Sequence, residues 1–280
     1  METNSGVPKV PDGDELVALL RSPSGSDPFD HYLRFHAERI SYLLRLLHPL
    51  VADQERRRGG QVRLLDVGPG HLTAALHYEF GTRLAIDTLG WRDDRVVGVG
   101  MVRRHVEFDL NDAQHVERWA SAEPHDVVVL AEVLEHLYTA PSLVLACLAC
   151  WVEPGGVLVV QTPNAVSLRK RVKLAVGRHP YEQIREDRTN PGHFREYTAG
   201  ELVGLLGAAG FDVEATIHAS YWRRRLAPGD GEGAPPRAVL ARQAQHVADR
   251  VVSVLEDAYP PFRQGLTVVA RRRAAPGPEM

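Results

Sequence analysis

Cysteine is nearly absent: Cys147 and Cys150 are the two in a chain of 280 residues. They cannot build a disulfide framework, so nothing asks for an oxidising compartment. Lysine is scarce too, with Lys9, Lys170 and Lys173 among 33 basic residues. The rest are arginine, a bias that points to a high-GC bacterial genome and says nothing of chemistry. No apolar run approaches the ~20 residues of a membrane span. Residues 1–11 lack the basic-then-apolar layout of a signal peptide. A surplus of positive charge is missing as well. The formal net charge is −3, which counts against wholesale nucleic-acid wrapping. A cytoplasmic protein is expected. Its hydrophobic content of 44% is enough to bury a full core.

Residues 1–26 read as a flexible, polar segment with one short apolar stretch, Leu16 to Leu20. Asp27 as N-cap and Pro28 at the first helical position then open a helix. Its apolar residues, from Phe29 and Leu33 to Leu44 and Leu47, recur at helical spacing up to His48. The charged run 55–60 reads as a solvated loop. Strands are expected at 62–67, 83–87, 105–109, 126–131 and 156–161, with late strands at 211–217 and 265–271. Helices are expected over 71–80, over Glu132–Trp151, and from the capping box at Thr198–Glu201 to Gly210. This alternation predicts an α/β fold with a doubly wound, mostly parallel sheet. One domain over 27–273 follows, with insertions at 164–197 and 221–261 and a flexible tail at 274–280. The first insertion is long enough to be a lid.

Leu64-Leu65-Asp66-Val67-Gly68-Pro69-Gly70 leaves the first strand and enters a helix. The glycines let backbone approach a ligand at the carboxyl edge of the sheet. A dinucleotide fingerprint would want a third glycine where Thr73 stands, and Asp66 would repel a pyrophosphate. An acid there favours a ligand with an ammonium group. Asp87 and Asp109, with Leu110 after it, fall at the next two strand ends. Each could be a helix N-cap, yet together the three acids outline a nucleoside site: Asp87 for ribose hydroxyls, Asp109 and Leu110 framing adenine.

From about Asp27 to Arg272 the sequence resembles the class I S-adenosylmethionine-dependent methyltransferases. The resemblance is carried by LLDVGPG at 64–70, AIDTLGW at 85–91, EFDLND at 107–112, DVVVLAEVLEHL at 126–137, EPGGVLVVQTPN at 153–164 and GHFREYTAGELVGLLGAAGF at 192–211. It implies a seven-stranded sheet with the last strand antiparallel. It also implies S-adenosylmethionine as cofactor, with Asp66, Gly68 and Gly70 under its methionine part. Tyr32 or Arg39 of the first long helix could touch that ligand's carboxylate.

Glu132-Val133-Leu134-Glu135-His136 opens the helix expected after the fourth strand. Residues i, i+3 and i+4 would then share a face, converging two carboxylates and an imidazole. With His193 they would make a site for Mg²⁺ or Mn²⁺, able to depress the pKa of a substrate hydroxyl. Ubiquinone-biosynthesis and small-RNA 2′-O-methyltransferases use a similar Glu-x-x-Glu-His, whereas many family members carry Glu-His without metal. In the metal-free reading Glu132 caps the helix, and His136, then His193, is the candidate general base.

The expected function is O-methylation of a hydroxyl on a saccharide, polysaccharide or related metabolite, as in an actinobacterial carbohydrate pathway. SLRKRVKLAVGRHPYE followed by GHFREYT resembles bacterial saccharide and cell-envelope methyltransferases. Alternatives are a phenolic acceptor, RNA 2′-O-methylation, or a regulator that binds the nucleotide without chemistry. Cys147 and Cys150 are expected in buried core. Arg169, Lys170, Arg171, Lys173 and Arg178 read as a solvated helix face or as contacts for a phosphate or acidic substrate. No motif indicates an oligomeric state.

Overall fold

The fold is seen in a computed structural model that describes residues 10–20, 28–91, 100–119, 123–187, 191–221 and 250–274. Its strands are β1 (Val62–Val67), β2 (Leu84–Gly90), β3 (Arg104–Glu107), β4 (His125–Ala131), β5 (Val152–Pro163), β6 (Phe211–Ala219) and β7 (Gly265–Arg272). They form one sheet in the order β3-β2-β1-β4-β5-β7-β6. Pairing is parallel from β3 to β5, and β7 runs antiparallel to both β5 and β6. The doubly wound, seven-stranded sheet with a final antiparallel strand is therefore present. Strand order reverses between β1 and β4, which opens a crevice at their carboxyl ends.

Helices α1 (Gly13–Leu20), α2 (Pro28–Arg58) and α3 (His71–Phe80) cover one face. Helices α4 (Pro141–Ala149) and α6 (Ala199–Ala208) cover the other. The central strands are buried on both sides, which is why β4 carries Val-Val-Val-Leu over 127–130. α5 (Leu168–Ala175) belongs to the first insertion and buries none of its residues.

Several boundaries differ from the sequence expectation, each for a physical reason. Residues 13–20 are not a loose tail: α1 packs on α2 with Leu16 in the core, and Ser41 Oγ donates to the Pro11 carbonyl (2.6 Å). The charged run after His48 stays helical to Arg58. Arg57 pairs with Asp53 one turn back (2.9 Å), Arg83 clamps Glu55 (2.7 and 2.9 Å), and three arginines meet the negative end of the helix. β2 continues past Asp87 to Gly90, because Thr88 and Leu89 keep their pairing with β1.

The single helix expected over Glu132–Trp151 does not form. Glu132 takes a left-handed backbone (φ 56°), Leu134–His136 make one 3₁₀ turn, and α4 begins only at Pro141. Proline at a helix start forces the preceding Ala140 to be extended (ψ 127°), so a helix cannot run through it. Cys147 lies in the core as expected, whereas Cys150 is exposed. The insertion at 164–197 is pinned at its ends by a bridge between Asn164 and Tyr197, and Asn164 Nδ2 also donates to the Pro261 and Arg263 carbonyls (2.9 and 2.8 Å). Asp27, residues 222–249 of the second insertion and 275–280 of the tail lie outside the described residues.

Candidate active site

The turn after β1 forms one wall of the crevice. Gly68 has a φ of 81°, and its N–H donates to the Leu89 carbonyl (2.8 Å). A Cβ there would lie 2.7 Å from Val133 Cγ2, so only glycine fits in both conformation and space. Gly70 is the extended residue before α3, and its N–H is accepted by Thr73 Oγ1 (2.9 Å). The same hydroxyl donates to Asp66 Oδ2 (2.6 Å). Thr73 thus locks the acid and the turn together. It enters the sequence argument only as the glycine that is missing.

Asp66 is buried, and its Oδ1 has no hydrogen-bond partner. Burial pushes its pKa up to about 7, against the opposing pull of Thr73 and Arg39. Arg39 of α2 is buried as well, donating from Nη1 to Gln161 Oε1 (2.9 Å). Tyr32, two turns earlier in the same helix, is half exposed and its ring lies 5.7 Å from that of His71, the first residue of α3.

Asp87 does not stand with these groups. It pairs in register with Leu65, not Asp66, so it faces the opposite side of the sheet. Its carboxylate is fully buried and accepts from Arg103 (2.6 and 2.9 Å), Arg104 (3.2 Å) and His125 Nε2 (3.1 Å). Those contacts hold it below the usual carboxylate range despite burial. Its position is that of a buried carboxylate beneath two partly exposed arginines. Asp109 lies beyond the end of β3 and caps the 3₁₀ turn Leu110–Gln114, accepting from Asn111 N (2.9 Å). Leu110 is buried beside it. Asn111, the next residue of that motif, links this turn to the loop after His136 by accepting from Tyr138 N (2.9 Å).

The opposite wall comes from the chain after β4. Glu132 is the one non-glycine residue with positive φ among the described residues, and its Oε1 is shut from solvent without a partner. Burial and then the charge of Glu135 push its pKa up to about 8. Glu135 is fully buried; its Oε2 accepts from Thr162 Oγ1 (3.0 Å), and its Oε1 is unpartnered. Burial raises it to about 7. Its backbone carbonyl accepts from Phe194 N (2.8 Å) and Arg195 N (3.3 Å), which seats the 192–197 loop on the 3₁₀ turn. His136 Nδ1 lies 2.9 Å from the Gly192 carbonyl. Only an N–H satisfies a carbonyl, so Nδ1 is the donor there. His193 is held at Nδ1 by Glu196 Oε1 (3.1 Å), and burial, with His136 and Lys170 nearby, lowers its pKa to about 4. It is neutral at pH 7.

Donor atoms of Glu135, His136 and His193 all lie within 4.8 Å of one another. Glu132 is outside that group, since the expected i, i+3, i+4 alignment needs an α-helix and a left-handed residue stands in its place. The convergence comes instead from the 3₁₀ turn and from a loop more than fifty residues away.

The methyltransferase domain family matches residues 31–216, which is more than half of the chain. The chain belongs to the class I S-adenosylmethionine-dependent methyltransferases. A Mycolicibacterium smegmatis protein named "Probable S-adenosylmethionine-dependent methyltransferase" is 40% identical over 92 residues, 33% of this chain and 30% of that protein. The match therefore spans under a third of that relative. The fold is shared with a SAM-dependent methyltransferase from Archaeoglobus fulgidus (17% identity, TM-score 0.50, 86% of this chain and 99% of that one). It is shared also with a candidate sarcosine dimethylglycine methyltransferase from Galdieria sulphuraria (13% identity, TM-score 0.53, 93% and 98%). No helix among the described residues of this methyltransferase is long and apolar enough to cross a membrane.

The residues present suit the methyltransferase cofactor. The unpartnered Oδ1 of Asp66 is an acceptor waiting for a cationic donor, Arg39 offers a buried positive charge, and Gly68 leaves a side-chain-free approach. Thr73, Thr162 and Glu196 complete the wall. Of these, Glu196 alone had a visible signal, its spacing of three from His193.

Proposed function

We propose that this methyltransferase methylates a hydroxyl oxygen of a saccharide or related metabolite, assisted by Mg²⁺ or Mn²⁺ at Glu135, His136 and His193. The observation that carries the reading is the convergence of those three donors within 4.8 Å beside the cofactor turn. Both imidazoles are anchored at Nδ1, as metal-bound histidines are, and the free oxygen of Glu135 has no other partner. Glu132, a fourth ligand in the sequence expectation, stays outside this set of three. Hard oxygen and imidazole donors suit Mg²⁺ or Mn²⁺. The saccharide acceptor rests on the resemblance of 167–182 and 192–198 to saccharide methyltransferases.

S-adenosylmethionine, when bound, supplies a methyl group on a cationic sulfur. The chain has to hold the acceptor oxygen in line and to ease the loss of its proton. Asp66, Gly68 and Gly70 hold the amino-acid end of the cofactor, and Asp109 with Leu110 hold the adenine. A cation at Glu135, His136 and His193 would lower the acceptor's pKa; without one, His136 or His193 takes the proton at Nε2. The 164–197 segment acts as a lid over the acceptor, with left-handed glycines at 177 and 192 as hinges.

Transfer of labelled methyl from S-adenosylmethionine to hydroxyl-bearing saccharides tests this reading. Label is expected in an alkali-stable ether, at a rate that falls at least ~100-fold on exhaustive chelation and returns with Mn²⁺. An unchanged rate after chelation would sink the metal, and label in RNA or a phenol alone would sink the saccharide.

A pH dependence follows from Asp66. Its raised pKa leaves it protonated below about 7, so it meets the cofactor's ammonium as a carboxylate only above that. Cofactor affinity is expected to rise as pH increases through about 7, with proton release on binding below it. In the free protein the sign is opposite: stability falls as pH rises from the usual carboxylate range towards 7, because the unfolded chain ionises first. Calorimetry in buffers of different ionisation enthalpy reads the proton release. Asp66→Asn should bind more weakly and lose the pH slope; a slope that persists in the variant assigns it elsewhere.

A further inference from the structure

The basic run of α5 divides in two. Residues 171–179 are all exposed, whereas Lys170 turns inward. Its ammonium donates to Glu196 Oε2 and to the Asn164 carbonyl (2.9 Å), and it lies 5.6 Å over the Tyr181 ring. Glu196 is buried, and its second oxygen accepts from His193 Nδ1 (3.1 Å). One carboxylate thus joins a cation from the lid helix to an imidazole from the loop before α6.

Each part of that chain requires the others. A buried carboxylate facing a neutral imidazole alone would keep an uncompensated charge, and Lys170 supplies the counter-charge. A carboxylate accepts at Nδ1 only from an N–H, so the lone pair of the neutral His193 ring is left on Nε2. The Asn164 carbonyl adds a contact at the pinned root of the same segment, so Lys170 bridges that root and the loop that carries His193.

We infer that Glu196 is a positioning residue that fixes His193 in its Nδ1–H tautomer, and that Lys170 ties this setting to the seated position of α5. The inference rests on His193 acting at the site proposed above. With Lys170 withdrawn, Glu196 loses its counter-charge and its hold on His193 slackens. Lid seating and assembly of the site are then a single event, which delays a competent site until the acceptor is covered.

The test uses the full chain, labelled with ¹⁵N-histidine and saturated with S-adenosylhomocysteine. Imidazole ¹⁵N shifts read the tautomer, and paramagnetic resonance reads Mn²⁺ affinity. The unaltered protein should show His193 in one tautomer, protonated at Nδ1. Glu196→Ala should show a mixture, with Mn²⁺ affinity lowered ~10–100-fold. Lys170→Met should move both readings the same way by less and speed amide exchange over 168–175, whereas Lys170→Arg should restore them. If Glu196→Ala does not fold, Glu196→Gln keeps the volume and loses the charge, and lower Mn²⁺ affinity is again expected. An unchanged tautomer and unchanged Mn²⁺ affinity in the Glu196 variants would overturn the inference. Absence of Mn²⁺ binding in every protein, with the tautomer still shifting, would sink the metal reading and uphold the positioning role.

Discussion

Gly68→Val abolishes cofactor binding while the protein still folds. The backbone at Gly68 is left-handed (φ 81°), where a β-branched residue is strained by ~1–3 kcal/mol. The added Cβ would sit 2.7 Å from Val133 Cγ2, and real Cβ atoms do not approach so closely. Val133 has little room to retreat, because it packs against the buried core and precedes the 3₁₀ turn that carries Glu135 and His136. Relief must come from the turn itself, which moves Gly70 and the Thr73 clasp on Asp66. Affinity for S-adenosylhomocysteine should fall at least ~100-fold by calorimetry, a cost of roughly 3 kcal/mol built from strain and displaced contacts. Gly68→Ala carries the same Cβ and should lose most of the same affinity. A melting curve separates misfolding from a local effect, and binding at the parental strength by a folded Gly68→Val would place the pocket elsewhere.

His193→Ala lowers kcat about 100-fold or more and leaves affinity for S-adenosylhomocysteine within about twofold, the split expected of a group acting on the acceptor. His193 is brought to the site by the Glu135 carbonyl, which accepts from the two residues after it, so its loss removes a donor without unseating the loop. Neutrality at pH 7, set by burial, suits it either as a cation ligand or as a proton acceptor. Steady-state kinetics beside calorimetry gives both halves of the split. A variant that loses cofactor affinity and kcat together would show that His193 serves the fold or the donor.

The parts legible in the sequence are those fixed by local chemistry. β1 and α3 fall where expected, at Val62–Val67 and His71–Phe80, because a doubly buried strand followed by a glycine turn has one plausible reading. The capping box at Thr198 and Glu201 is formed with both hydrogen bonds. What was hidden depends on partners distant in the chain. Asp87 ends a run that looks like a strand end, yet Arg103, Arg104 and His125 claim it from sixteen to thirty-eight residues away. The apolar stretch 132–151 has helical character throughout, but Pro141 and the strained Glu132 split it. Even so, Glu135, His136 and His193 meet, because hydrogen bonds from Phe194 N and Arg195 N to the Glu135 carbonyl, and from His136 Nδ1 to the Gly192 carbonyl, replace the expected helix. The residue types were readable; the backbone path was not.

Diffraction from crystals grown with S-adenosylhomocysteine and soaked in Mn²⁺, collected at the manganese absorption edge, tests the central claim most directly. One anomalous peak is expected within coordination distance of Glu135, His136 and His193, with the product's amino-acid end against Asp66 and the Gly68 turn. No peak at those three residues while the product is bound, or product bound away from Asp66 and Gly68, would contradict it.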